Sequence, residues 1–144
     1  MDNGTFDDWG EPSNSCGSYR SLATIGSLDP TVTYNDLNLY PLGDVDYYRI
    51  QANETDSVCH SCGGPLSFDE DHEFEVGISV PVGAGSFQLC ASTDCASVDL
   101  NCTTVQEGQN GTVSFVLDGS CSASAAYDIF VKVKPGNAPG HTCK

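Results

Sequence analysis

Asp44 and Asp46 stand one residue apart in the stretch PLGDVDYYRIQ, and they lead directly into a run of aromatic and β-branched residues. In an extended chain the side chains of residues i and i+2 project to the same side, so both carboxylates face one way and Val45 the other. Two carboxylates from one turn suit calcium, which takes about six to eight oxygen ligands from carboxylates, amides and carbonyls on adaptable loops. The N-terminal segment offers Asp7, Asp8, Glu11 and Asn14 within a few residues of one another. The EF-hand pattern is absent: there is no third acid at the required spacing, no loop glycine and no closing glutamate. A second acidic cluster, Asp69, Glu70, Asp71 and Glu73, has no evident partner segment. The competing reading of Asp44 and Asp46 is a solvated turn that starts a core strand. The two readings are compatible, because an ion that binds only the folded state stabilises it by mass action.

The second set of reactive residues is the eight cysteines, Cys16, Cys59, Cys62, Cys90, Cys95, Cys102, Cys121 and Cys143. An even number in a small, lysine-poor chain points to disulfides and an oxidising compartment. Eight cysteines allow on the order of a hundred pairings, so connectivity does not follow from spacing. A Cys90–Cys95 bridge is sterically reasonable across a short loop. The Cys59-His60-Ser61-Cys62 stretch resembles half a zinc knuckle. A structural zinc site takes about four ligands, usually as two close pairs, and no other cysteine pair here repeats that spacing. A redox CxxC sits at a helix start in a βαβ setting, whereas Cys59 follows the loop ANETDSV. Structural disulfides are the expectation.

Catalytic machinery is not expected. Of three histidines, His60 is boxed between cysteines, His141 is close to the C-terminus, and His72 lies among carboxylates in DEDHEFE. No Gly-x-Ser-x-Gly elbow and no phosphate-cradling glycine loop occurs. Twenty acidic residues offer so many carboxylate pairs that a glycosidase pair carries no information.

The charge balance narrows the partners. Twenty Asp and Glu against five Lys and Arg give a formal charge of −15. Such a chain repels phosphate backbones and anionic bilayers, so neither nucleic acid nor membrane is an expected partner. No run of about 18 apolar residues is present, so no membrane insertion is expected. The opening MDNGTFDDWGEP lacks the basic-then-apolar order of a signal peptide. Four Asn-x-Ser/Thr triplets, at Asn3, Asn53, Asn101 and Asn110, are compatible with exposed loops of a secreted protein.

At 144 residues the chain suits one domain, able to bury roughly 68–70% of its extended surface. No sustained 3.6-residue apolar period appears, while period-two alternation recurs. It places Tyr48, Ile50 and Ala52 on one face, then Phe74, Val76, Ile78 and Val80, then Phe87, Leu89 and Ala91. It does so again for Val113, Phe115 and Leu117, and for Tyr127, Ile129, Val131 and Val133. Turn clusters such as PVGAG and EGQNG separate these runs. Short alternating strands imply antiparallel sheets packed on one face and solvated on the other. Two such sheets face to face make an all-β, antiparallel β-sandwich, jelly-roll-like and braced by disulfides. Residues 1–144 form the single domain, with 1–20 an acidic lead-in loop and 135–144 a loose tail. Weaker strands are expected at Leu22–Ile25 and Thr31–Tyr34, with Trp9 plugging one end of the sandwich.

The stretches DDWGEPSNS and, about thirty residues later, LGDVDYYRI resemble the bacterial pre-peptidase C-terminal domain. That family has an acidic lead-in with Glu-Pro-Asn, then Gly-Asp-x-Asp-Tyr-Tyr opening a strand. YDIFVKVKPG is similar to its closing portion, and the cysteine content resembles versions on large secreted bacterial proteins. The resemblance implies a small β-sandwich used as an accessory module on exported proteases, related to the collagen-binding domains of collagenases. It also implies a calcium site, which would fall on Glu11, Asn14, Asp44 and Asp46. Here Ser13 follows the proline and Asn14 comes next, a shift of one residue from the family pattern.

The expected function is therefore that of a non-catalytic accessory or adhesion domain of a secreted or cell-surface protein, stabilised by calcium. Its partner would be an extracellular polymer, protein or polysaccharide, or the parent enzyme domain, met by a flat sheet face with exposed tyrosines such as Tyr40 and Tyr47. The alternative is a structural subunit of an extracellular assembly. The family closes with a further strand that this sequence lacks before Lys144, and the open edge so left would serve strand addition or self-association.

Overall fold

The structure, a computed structural model, describes residues 15–26, 31–34, 45–53, 72–117 and 126–136. Seven strands are present among them: β1 (Arg20–Gly26), β2 (Asp46–Asn53), β3 (His72–Ser79), β4 (Phe87–Ser92), β5 (Cys102–Val105), β6 (Asn110–Leu117) and β7 (Ala126–Pro135). They form a five-stranded sheet in the order β1-β2-β7-β4-β5 and a two-stranded sheet of β3 and β6. The chain is a disulfide-braced all-β sandwich, as its alternation predicts.

One pairing departs from the antiparallel rule. β1 runs parallel to β2, with a one-residue register shift between Ser21 and Ala23. The shift falls at an edge strand, where bulges are concentrated and turn the edge away from further pairing. The Leu22 carbonyl, at the shift, accepts a 2.7 Å bond from the Tyr34 hydroxyl. Thr31–Tyr34, expected as a strand, is instead irregular and exposed. With four residues and no ladder partner among the described residues, it meets β1 through that tyrosine.

Period-two alternation decides what each strand buries. β7 lies between β2 and β4 and pairs antiparallel with both. Its inward row of Tyr127, Ile129, Val131 and Val133 meets Tyr48, Ile50 and Ala52 from β2 and Leu89 and Ala91 from β4. Val113 and Leu117 of β6, with Phe74, Val76 and Ile78 of β3, close the core from the other sheet. Leu89 and Ile129 are among the largest fully buried side chains.

β3 passes to β4, and β5 to β6, from one sheet to the other through short turns. β5 hands over to β6 around Gly108, whose φ of 71° suits glycine. Its amide donates to the Val80 carbonyl at 2.7 Å, while the Val80 amide donates to the Gln109 carbonyl at 3.0 Å. This locks the end of β3 to the β5–β6 turn. β6 then passes so close to β5 that a Cβ on Gly111 would run into the Val105 side chain, itself buried. Gly111→Ala is therefore expected to lower stability by about 1–3 kcal/mol, the range for overpacking a tight core. Urea unfolding of the two proteins measures it, and equal midpoints would show that β5 and β6 are further apart than described.

Candidate functional site

The same alternation that fills the core dictates the outer face of the five-stranded sheet. Tyr47, Arg49 and Gln51 of β2 point away from the core, as do Asp128, Phe130, Lys132 and Lys134 of β7. The register sets Tyr47 opposite Lys132, Arg49 opposite Phe130 and Gln51 opposite Asp128. On the other side of β7, Cys90 of β4 lies opposite Lys132, and Cys102 of β5 lies opposite Cys90. One row across the sheet thus reads Cys102, Cys90, Lys132, Tyr47, and the next reads Ser92, Phe130, Arg49.

Around Arg49 the groups hold one another in place. Its Nη2 donates to Asp128 Oδ1 at 2.7 Å. Its Nη1 donates to the Tyr19 hydroxyl at 3.4 Å. The guanidinium carbon lies 5.4 Å from the Tyr19 ring centroid, within cation–π range. Tyr19 in turn meets Phe130 edge to face, with centroids 5.7 Å apart. The hydrogen bond that Arg49 donates to Asp128, opposed by partial burial and helped by the charge of Asp128, raises the Arg49 pKa. Arg49 Nε is buried and meets no acceptor among the described residues. Beside this group, Ser21, Leu22, Ala23, Thr24, Arg49 and Gln51 line an open depression of about 220 Å³.

Lys132 is clamped more tightly and is only 8% exposed. A 3-10 helix, Cys95–Leu100, lies over this end of the sheet and delivers Asp99. Asp94 caps the helix, accepting from the Ala96 amide at 3.2 Å and the Ser97 hydroxyl at 2.9 Å. Lys132 Nζ donates to both Asp99 oxygens, at 2.7 and 3.0 Å, and lies 5.5 Å from the Tyr47 ring centroid. Burial is the largest influence on this amine and lowers its pKa. The bonds that Lys132 donates to Asp99 and the contact with Tyr47 outweigh it, so the net shift is upward from 10.5.

Two disulfides fasten this arrangement, Cys16–Cys95 and Cys90–Cys102. The expected Cys90–Cys95 bridge is therefore corrected. Cys90 is held directly opposite Cys102 by the β4–β5 ladder, with Cα atoms 4.1 Å apart. Cys95 instead opens the 3-10 helix and ties it to the N-terminal segment, 79 residues away in sequence. Bridges of this kind persist in an oxidising environment. Cys59, Cys62, Cys121 and Cys143 lie outside the described residues, as do His60, His141, Trp9 and Tyr40.

Of the four expected calcium ligands, Glu11, Asn14 and Asp44 also lie outside the described residues. Asp46 opens β2, is 3% exposed and faces the core side. Its Oδ2 accepts a 3.0 Å bond from the Tyr48 hydroxyl. Asp46 is thus a buried carboxylate at the opening of β2, bonded to the Tyr48 hydroxyl. Of the tyrosines expected on an exposed face, Tyr47 lies on the outer side of the sheet and is half-buried. Sequence reasoning missed the Lys132–Asp99 clamp and the Arg49 cluster. Alternation alone signals that Arg49 and Lys132 share a face, but Asp99 and Tyr19 come from segments without alternation.

Comparison with known proteins adds no relative: no family model, curated protein or solved structure matches the chain.

The raised pKa of Lys132 has a defined sign. A group whose folded pKa exceeds its unfolded value stabilises fully below the unfolded pKa, and that contribution disappears as pH rises through the folded value. Stability of the native chain should therefore fall above about pH 10.5 more steeply than in Asp99→Asn. At neutral pH, Asp99→Ala should cost about 1–2 kcal/mol, limited by the solvent exposure of the aspartate. Denaturant melts across pH check both, and parallel profiles would show that the clamp contributes nothing.

Proposed function

We propose that the chain is a non-catalytic accessory or adhesion module of a secreted or cell-surface protein, which holds an extracellular polymer against the outer face of its five-stranded sheet. One observation carries this reading. Arg49 and Lys134 are two of only five Lys and Arg in a chain of formal charge −15, and both lie on that face with Tyr47 and Phe130, beside the Lys132 that Asp99 encloses. Aromatic and arginine side chains dominate binding energy at recognition surfaces, because they give large, stiff contact areas with a polar handle. Tyr19, Tyr47 and Arg49 are held by their neighbours before any partner arrives, which reduces the ordering cost of binding. The resemblance to pre-peptidase C-terminal domains fits the same role.

Calcium belongs to this proposal as a stabiliser. Asp46 would hold it together with Asp44, Glu11 and Asn14, and the ion would offset part of the acidic charge. Thermal unfolding of the oxidised chain in calcium and in chelator tests this. The expected result is a melting temperature that rises with calcium in the native chain and does not in Asp46→Asn. A native chain indifferent to calcium removes the ion from the account and leaves the outer face untouched.

Binding is tested by co-sedimentation with insoluble collagen, chitin and peptidoglycan. At least one should retain the native chain, and Arg49→Ala and Tyr47→Ala should each weaken that binding about tenfold, the scale of a truncated hot spot. Circular dichroism controls for folding. No retention on any polymer, or retention that ignores both substitutions, contradicts the proposal. Concentration-dependent self-association in its place would favour strand addition. That second reading rests on the two-stranded sheet, where β3 and β6 pair only with each other among the described residues.

A further inference from the structure

We infer that the Cys90–Cys102 disulfide conceals a redox-gated metal site: once reduced, the two thiolates and the Asp99 carboxylate bind a thiophilic divalent cation of the zinc class. The Sγ atoms of Cys90 and Cys102 and a carboxylate oxygen of Asp99 already lie within 4.8 Å of one another. Tetrahedral zinc, with Zn–S of about 2.3 Å and Zn–O of about 2.0–2.2 Å, separates neighbouring ligand atoms by roughly 3.5–3.8 Å. Small side-chain rotations reach that spacing once the sulfur–sulfur bond is gone. The backbone places the ligands independently of the bridge. β4 and β5 pair from Phe87↔Val105 to Cys90↔Cys102, and β4 is held on its other side by β7. Asp99 comes from the 3-10 helix, which packs on β4 and β7 and buries Val98, so its position does not depend on a disulfide. The fourth position of the metal would face the side from which Asp99 is exposed, and water fills it.

Lys132 supplies what such a site needs around its ligands. Nζ bonds both Asp99 oxygens, so one bond persists when the other oxygen turns to a metal. Lys132 then orients the carboxylate, as partners one step from a metal commonly do. Charge also closes: two thiolates, one carboxylate and a divalent cation sum to −1, and the ammonium brings the site to neutrality. Without Lys132 this half-buried site would carry a net charge at a desolvation cost.

The opening step balances with a dithiol reductant. Its thiolate attacks Cys102 Sγ, the more accessible sulfur, since Cys90 is fully buried. The Cys90–Cys102 bond breaks and Cys90 leaves as a thiolate with the electron pair, on the row it shares with the Lys132 ammonium. The second thiol of the reductant, as its thiolate, attacks the reductant's own sulfur in the mixed disulfide. It departs as a cyclic disulfide and releases Cys102 as a thiolate. Two electrons have passed to the protein, and the cation takes the place of the two protons that the thiols would otherwise carry.

The test titrates cadmium into the full chain reduced with a phosphine, following the thiolate-to-metal absorption band. Because Cys59 and Cys62 form a competing pair, every protein carries Cys59→Ser and Cys62→Ser. This background should bind one equivalent more than the same protein with Cys90→Ser and Cys102→Ser added. Asp99→Ala should weaken that equivalent about tenfold or more, and the oxidised chain should not bind it. Equal binding with and without Cys90 and Cys102 overturns the inference, as does a site indifferent to Asp99→Ala or equal uptake by the oxidised chain. A reduced chain that has lost its β circular-dichroism signal also overturns it, since the site requires the folded ladder.

Discussion

The register of β7 between β2 and β4 is the constraint on which the rest of this molecule depends. Side chains on a strand alternate with a period of two, so one choice of register sends Ile129 and Val131 into the core and Phe130 and Lys132 to the opposite face, where Asp99 encloses Lys132. A slip of one residue would exchange them. It would part Lys132 from Asp99 and set it with Asp128 among Leu89, Ala52 and Val113, at the several-kcal/mol cost of an unpaired buried charge. The hydrophobic pattern therefore specifies the outer face as strictly as it specifies the core, although no outer residue contributes to core packing.

Given that register, the charges on the outer face are arranged rather than scattered. Arg49 meets Asp128 from the same sheet, two residues before its own cross-strand neighbour Phe130. Lys132 meets Asp99 from a helix that the sheet does not contain. The first pair is half exposed and adds little stability by itself; its effect is to hold the guanidinium beside Tyr19. The second is more enclosed, and the disulfide-tethered 3-10 helix over it restricts both partners. The tethered helix over Lys132 thus both restrains the surface and adds to the stability that the core supplies.

Much of the sandwich was legible in the sequence, because it rests on local alternation. The inward rows of β2, β3, β4 and β7 follow from residues two apart, and each has the burial that the pattern implies. What was not legible depends on residues far apart or on short elements. β5 has four residues, and its partner β4 is recognised only through the ladder ending at Cys90↔Cys102. The 3-10 helix has one buried residue, Val98, and no periodic face; its one local signal is the capping pattern of Asp94 and Ser97. The parallel pairing of β1 with β2 and the union of Cys16 with Cys95 are products of tertiary geometry, which spacing does not encode. Asp46 was legible as a strand-opening acid, but its burial beside the Tyr48 hydroxyl was not.

The measurement that most directly tests this account is the set of long-range nuclear Overhauser contacts between the backbones of β2 and β7 in the oxidised chain. The account predicts cross-strand contacts that pair Tyr48 with Val131 and Ile50 with Ile129, with Tyr47 opposite Lys132. Contacts displaced by one residue, pairing Tyr48 with Lys132, would contradict it, because the cations would then belong to the core side and the outer face described here would not exist.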